Sequence, residues 1–163
     1  MPPPLLFDLS SIDLTVEPVF GREAIEKVNP QRFEMQQLDA ILWYDKEKSQ
    51  VLGYKDVTDR EFWIRGHIPQ QPLMPGVIMI EAAAQLSCFF VKEVFGEPGF
   101  IGFAGIAEAR FRSMVEPGQR LHLLGQIVKY NKRERRTRVE TKVQGVVNGK
   151  MVFETIVAGM RVI

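Results

Sequence analysis

His67 and Glu81 are the residues of this chain whose types and spacing could move a proton off carbon and onto oxygen. His67 sits in the run Gly66-His67-Ile68-Pro69-Gln70-Gln71-Pro72-Leu73-Met74-Pro75-Gly76-Val77, a loop stiffened by prolines. Imidazole is the side chain best matched to taking a proton near neutral pH. Glu81 lies fourteen positions further on, the only charged residue between Arg65 and Lys92. Burying a carboxylate in so apolar a stretch costs free energy unless it is paired or protonated, and a protonated carboxyl can serve as an acid. Between the two, Pro75 suits the first position of a helix. Gly76 and Val77 then offer backbone N–H groups at the helix start, where the dipole favours negative charge, and Gly76 has no side chain to block approach. An oxyanion placed there would be stabilised; losing one such donor in comparable sites costs roughly 3 kcal/mol. Gln85, four residues after Glu81, shares its helix face and is expected to orient Glu81 or a water. Each feature also has a plain reading: a polar loop residue, a buried Glu satisfied by a backbone donor, an ordinary Pro-Gly helix start.

The elements that must position these groups follow from patterning. Apolar residues occupy nearly every face from Pro75 to Phe95, which predicts a helix buried in a core, about 30 Å long at 1.5 Å per residue. Glu81 and Gln85 in its middle argue against a membrane span. Gly96 and Pro98-Gly99 stop it. Before the loop, Gly21–Val28 predicts a short helix ending ahead of Pro30. Leu38–Tyr44 and Gln50–Val57 predict a hairpin closed by the charged turn 45–49. After the helix, Phe100–Ala109, Leu121–Tyr130, Arg135–Val147 and Lys150–Val162 read as strands, with Asn148-Gly149 as a type I′ turn. Several long antiparallel strands and one buried helix predict an α+β fold, a helix packed on one face of a sheet. Residues 1–21 read as an irregular arm with no assigned function, and residues 22–163 as a single domain.

Composition narrows the function classes. The 163 residues suit one domain with a full core. Net charge is +1, yet residues 1–100 hold 9 Lys and Arg against 15 Asp and Glu, while 101–163 hold 12 against 5. Such asymmetry suits either an acidic partner or a solvated charged sheet. Lys129, Lys132, Arg133, Arg135, Arg136 and Arg138 form the densest basic cluster, without the aromatic interleaving of a nucleic-acid surface. The single cysteine, Cys88, lies inside the apolar helix and reads as a buried thiol. No Cys/His cluster predicts a metal. His122 lies in a strand pattern and reads as a surface or sheet-edge residue. The N-terminus lacks a signal-peptide pattern, which makes a cytoplasmic location the expectation.

The signature Gly66-His67-x-Pro69-x-x-Pro72-x-x-Pro75-Gly76-Val77-x-x-x-Glu81-Ala82-x-Ala84-Gln85 resembles that of the β-hydroxyacyl-[acyl carrier protein] dehydratases of the FabZ type. Phe103-Ala104-Gly105-Ile106-x-Glu108-Ala109-Arg110-Phe111-Arg112, followed by Val115-x-Pro117-Gly118, resembles the family's next block. Pro30-x-Arg32-Phe33 with Leu38-Asp39 is a weaker match to its N-terminal segment. The resemblance implies a hotdog fold, an antiparallel sheet wrapped around one long central helix. It implies homodimers with sheets paired edge to edge, often assembled further into hexamers. It implies dehydration of a 3-hydroxyacyl chain on acyl carrier protein to the trans-2-enoyl thioester in type II fatty acid synthesis, with no cofactor and no metal. His67 would take the α-proton, Glu81 of the partner subunit would protonate the leaving hydroxyl, Gly76 and Val77 would hold the thioester oxygen, and Gln85 would support. Arg110 and Arg112, together with Lys132 and Arg133, would dock the carrier. The isomerising relatives carry Asp where Glu81 stands, which favours simple dehydration.

Departures from the pattern are Gln31 in place of the family's His, Glu34 through Gln37 beyond it, Ile68, Ala107, and Ile101-Gly102 where a gating tyrosine is common. Two other readings stay open here. One is a paralogue of another lipid or polyketide route, or one working as a hydratase; the other is a non-catalytic acyl-binding or regulatory domain.

Overall fold

Alternation decides the second half of the chain. The computed structural model describes residues 1–162. In β5 (Arg136–Val147), Thr137, Val139, Thr141 and Val143 are buried while Arg136, Arg138, Glu140 and Lys142 point away. Its neighbours are β4 (Arg120–Arg133) and β6 (Lys150–Val162). The β5–β6 turn has φ of 49° at Asn148 and 77° at Gly149, as a type I′ turn requires. With β1 (Ala40–Asp45), β2 (Gln50–Asp56) and β3 (Gly102–Phe111) these form one six-stranded sheet, order β1-β2-β4-β5-β6-β3. Every pairing is antiparallel.

The helix α2 (Gly76–Phe89) lies on the inner face, its Ala82, Ala83, Leu86 and Phe89 packed into the main core against Leu121, Leu123, Val143 and Phe153. This is the α+β hotdog arrangement. The helix differs from its expected form at both ends. Pro75 is extended, with φ −60° and ψ 136°, and stands just before the helix; its carbonyl accepts from the Ile78 and Met79 N–H groups at 3.0 and 3.2 Å. Gly76 is therefore the first helical residue. Beyond Phe89 the coil widens into a π-turn at Phe90–Val94, where the Phe95 N–H reaches the Phe90 carbonyl at 3.4 Å. The inserted residue lets the consecutive Phe89, Phe90 and Val91 all stay at 1% exposure or less.

A short helix α1 (Arg22–Val28) precedes the loop 29–37. The arm is not idle chain: Leu5, Leu6, Phe7, Leu9, Ile12 and Leu14 pack on Leu42, Leu52, Leu124 and Val146 on the sheet's outer face. The Gln144 amide fastens it, accepting from the Leu6 N–H at 2.8 Å and donating to the Pro4 carbonyl at 3.1 Å. His122 corrects its reading as a surface or edge residue. It lies in β4, an interior strand, half-buried and edge-on to Tyr54, because β2 and β5 flank it on both sides. No helix among the described residues is long and apolar enough to cross a membrane.

Candidate active site

The His67 loop is held from inside. The His67 N–H donates to the carbonyl of buried Trp63 at 2.9 Å, and the Met74 N–H donates to Val115 at 2.8 Å. The ring itself meets the Leu73 carbonyl through Nδ1 at 3.0 Å. A carbonyl oxygen can only accept, so Nδ1 carries the proton, and in the neutral ring Nε2 keeps its lone pair. The loop thereby fixes the tautomer of a base. Three residues after Leu73 the helix begins, and neither the Gly76 nor the Val77 N–H finds an acceptor among the described residues. Gly76 lets the Phe111 ring come close: a Cβ at this position would stand 2.8 Å from it, and the half-exposed ring would have to move aside. Phe111 thus roofs the helix start.

Glu81 faces a different surrounding. Its Oε1 accepts from Gln85 Nε2 at 2.8 Å. Gln85 is 1% exposed and fully engaged: Nε2 also donates to the Met35 carbonyl at 2.7 Å, and Oε1 accepts from the Gln37 N–H at 2.8 Å. The Asn29 amide adds a bond to the Gln85 carbonyl at 2.9 Å. The loop 29–37 is therefore tied to one face of α2. Glu81, Ala84, Cys88 and Val91 then line a cavity of about 240 Å³, closed on the sheet side by Val139 and Val157. Cys88 is half-buried in that wall and not fully buried as its place in the apolar run suggested, and burial pushes its thiol up. A carboxyl stands in an apolar chamber, with no ligand cluster for a metal among the described residues.

Residues 29–156 match the family model described as a FabA-like domain. The chain is 37% identical over 130 residues to the 3-hydroxyacyl-[acyl-carrier-protein] dehydratase FabZ of Desulfotalea psychrophila, covering 77% of this chain and 82% of that protein. It is 36% identical over 135 residues to the FabZ of Bacillus subtilis, covering 81% and 91%. The chain belongs to the FabA-like family. Solved structures agree on the fold. The dehydratase heterocomplex ApeI:P of Xenorhabdus doucetiae superposes with a TM-score of 0.64 at 14% identity, over 85% of this chain and 90% of that one. A sigma28-regulated virulence protein from Campylobacter jejuni gives 0.60 at 16% identity, over 91% and 96%.

Within this FabA-like chain the expected site residues do not all meet. Gly76, Val77 and the His67 loop gather at the start of α2, and Glu81 with Gln85 sits beside the cavity, but no hydrogen bond or ion pair joins His67 to Glu81. His67 is exposed and Val77 is 71% exposed. The four basic residues separate into two pairs. Arg110 lies at the end of β3 and Arg112 just beyond it, near Phe153 and Glu154, beside Phe111 and the helix start. Lys132 and Arg133 end β4 near Arg136, whose partner on β6 is Val162. The eight residues from Glu154 to Val162 span about 26 Å at 3.3 Å each. Arg112 is bound to Glu154 at 2.6 Å, and Lys132 lies 3.1 Å from buried Glu97, which also accepts from Arg161 at 2.6 Å. Burial pushes the Glu97 carboxyl up, but hydrogen bonds from Tyr130, Thr137, Lys132 and Arg161 outweigh it and bring it to about 2. Sequence reasoning missed Asn29 and Gln37, buried amides whose partners come from a helix some fifty positions away. It also gave no role to Phe111 or Gln31, although both lie in the quoted motif stretches.

Proposed function

We propose that this chain dehydrates 3-hydroxyacyl thioesters carried on acyl carrier protein to trans-2-enoyl thioesters, as a homodimer with shared sites. The observation that carries the reading is the separation itself: an acid fixed in an apolar cavity, and a base with its free Nε2 exposed outside it. A two-fold dimer brings the two together, each Glu81 meeting the partner subunit's His67. The free edge of β3, with Phe103, Ile106 and Phe111 each about half exposed, suits pairing with its copy.

His67 Nε2 takes the α-proton, and the growing charge on the thioester oxygen is met by the Gly76 and Val77 N–H groups. The electron pair released at the α-carbon forms the double bond as the β-carbon–oxygen bond breaks. Glu81 gives its proton to the departing oxygen, and water leaves. The acyl tail occupies the cavity between α2 and the sheet. Arg110, at the catalytic end of β3, and Arg112 beside it are the nearer candidates for carrier contact, with Lys132 and Arg133 a second surface. A cytoplasmic site of action goes with a carrier-linked substrate, and no metal or redox group is needed for the chemistry.

The test is to incubate the purified protein with 3-hydroxyacyl and enoyl carrier-protein thioesters and follow enoyl absorbance in both directions. Interconversion is the expected result. Tight acyl binding without interconversion would leave a binding domain instead.

A further inference from the structure

Among the described residues seven buried side-chain nitrogen or oxygen atoms have no hydrogen-bond partner. Gln31, whose Oε1 is one of these, is the only residue among them that lines the Glu81 cavity. Buried acceptors in native proteins are nearly always paired, so an orphan in a ligand-sized chamber points to what the chamber takes. The backbone on both sides of Gln31 is fixed. Arg32 Nη1 donates to the Asn29 and Gln31 carbonyls, both at 2.8 Å, and Nη2 donates to the Glu26 carbonyl at 2.6 Å. Pro30 precedes it and also lines the cavity. The amide is thus presented by a rigid loop, which is how binding groups are held ready.

We propose that Gln31 Oε1 accepts the hydrogen of the substrate's 3-hydroxyl group and so selects 3-hydroxyacyl chains over unsubstituted ones. The inference rests on the dehydratase reading above and adds a residue to it. A hydroxyl has one hydrogen to give and lone pairs to receive. If Glu81 donates its carboxyl proton to the hydroxyl oxygen, the hydroxyl's own hydrogen needs an acceptor elsewhere. Gln31, a residue of the same cavity, supplies one in its unpartnered Oε1, and the residues that carry the other unpartnered atoms do not line that space. The balance closes. The hydroxyl keeps the hydrogen bonded to Gln31, gains one from Glu81, and departs as water when the carbon–oxygen bond breaks. In the reverse direction Gln31 holds the attacking water by one hydrogen while Glu81 takes the other.

The experiment uses the full chain with His67→Ala, in which a hydroxyacyl ligand survives unreacted, and compares affinities for 3-hydroxyoctanoyl and octanoyl thioesters of N-acetylcysteamine. With Gln31 present, the hydroxylated chain should bind more tightly. Gln31→Met, similar in length but without the acceptor, should remove about tenfold of that preference, the scale of one neutral hydrogen bond, and leave octanoyl affinity within about twofold. Gln31→Ala serves as a second variant with the same expected loss of preference. An unchanged preference in both variants overturns the proposal, as does a parallel loss for both ligands, which would make Gln31 a wall residue only. The dehydration assay on the unmodified chain reads the parent proposal separately. Activity with no preference lost removes Gln31 alone; a lost preference without activity removes the reaction and keeps the hydroxyl contact.

Discussion

Gln85 Nε2 stands 2.8 Å from Glu81 Oε1, and the same nitrogen stands 2.7 Å from the Met35 carbonyl. With Gln85 Oε1 taking the Gln37 N–H, the amide can be oriented in one way only. One buried side chain thus aims the Glu81 carboxyl and clamps the loop whose Pro30 and Gln31 line its cavity.

Replacing Gln85 should therefore act on turnover before affinity. Gln85→Glu keeps an oxygen for the Gln37 N–H but loses both donors. We expect kcat to fall by about tenfold or more, in the range seen when acid–base groups lose their alignment. KM should stay within about twofold. Gln85→Leu strands the Gln37 N–H as well, and each orphaned group costs about 1–3 kcal/mol of stability. A rise in KM at constant kcat would show that Gln85 shapes the substrate pocket instead.

His67→Ala and Glu81→Gln should each lower turnover by at least ~100-fold with the fold intact by circular dichroism. Mixing separates a shared site from a site within one chain. Equal amounts of the two variants, reassembled at random, put about half the dimers in a mixed form with one intact composite site, recovering roughly a quarter of full activity. Mixed dimers confirmed by tags but still inactive would put both residues in one chain's site.

Carrier docking is expected to follow position in the sheet. Arg110→Glu, at the helix-start end of β3, should weaken carrier-linked substrates severalfold and leave short thioesters without a carrier unchanged. Added salt should have the same effect, since exposed charges interact little beyond about 8 Å at physiological ionic strength. Lys132→Glu with Arg133→Glu reports on the opposite end. If the distant pair alone matters, the carrier approaches from the far side of the sheet.

Glu97 sets an acid limit on stability. Its folded-state carboxyl lies at about 2, below the ordinary 4.5. A depressed carboxyl contributes fully above its unfolded value and loses that contribution as pH falls through the folded one. Melting temperature should thus drop as pH falls from about 4.5 toward 2. Glu97→Gln should lower stability at neutral pH and flatten that slope. An equally steep slope in the variant would assign the acid sensitivity to other carboxyls.

The sequence by itself determined most of the elements and supplied the candidates for the chemistry. Period-two alternation in 136–143 placed the charged residues outward, Asn148-Gly149 set the hairpin, and the all-apolar run after Pro75 made the helix a core element. These are local effects, so neighbours in sequence suffice to read them. His67, Gly76, Val77, Glu81 and Gln85 stood out as candidates for the same reason: one loop and one helix carry them all. What tertiary structure decided was every relation across distance. Gln85 meets Met35 and Gln37, Gln144 fastens the arm near Pro4 and Leu6, Phe111 roofs Gly76, and Gln31 enters the wall of the Glu81 cavity. The arm had no pattern of its own because its apolar residues match the outer face of the sheet and not a helix or strand period. His122 looked peripheral because nothing local says that β4 lies between β2 and β5. Sheet order and side-chain contact are settled by packing between segments far apart in the chain, and periodicity within a segment carries no record of which segment will face it.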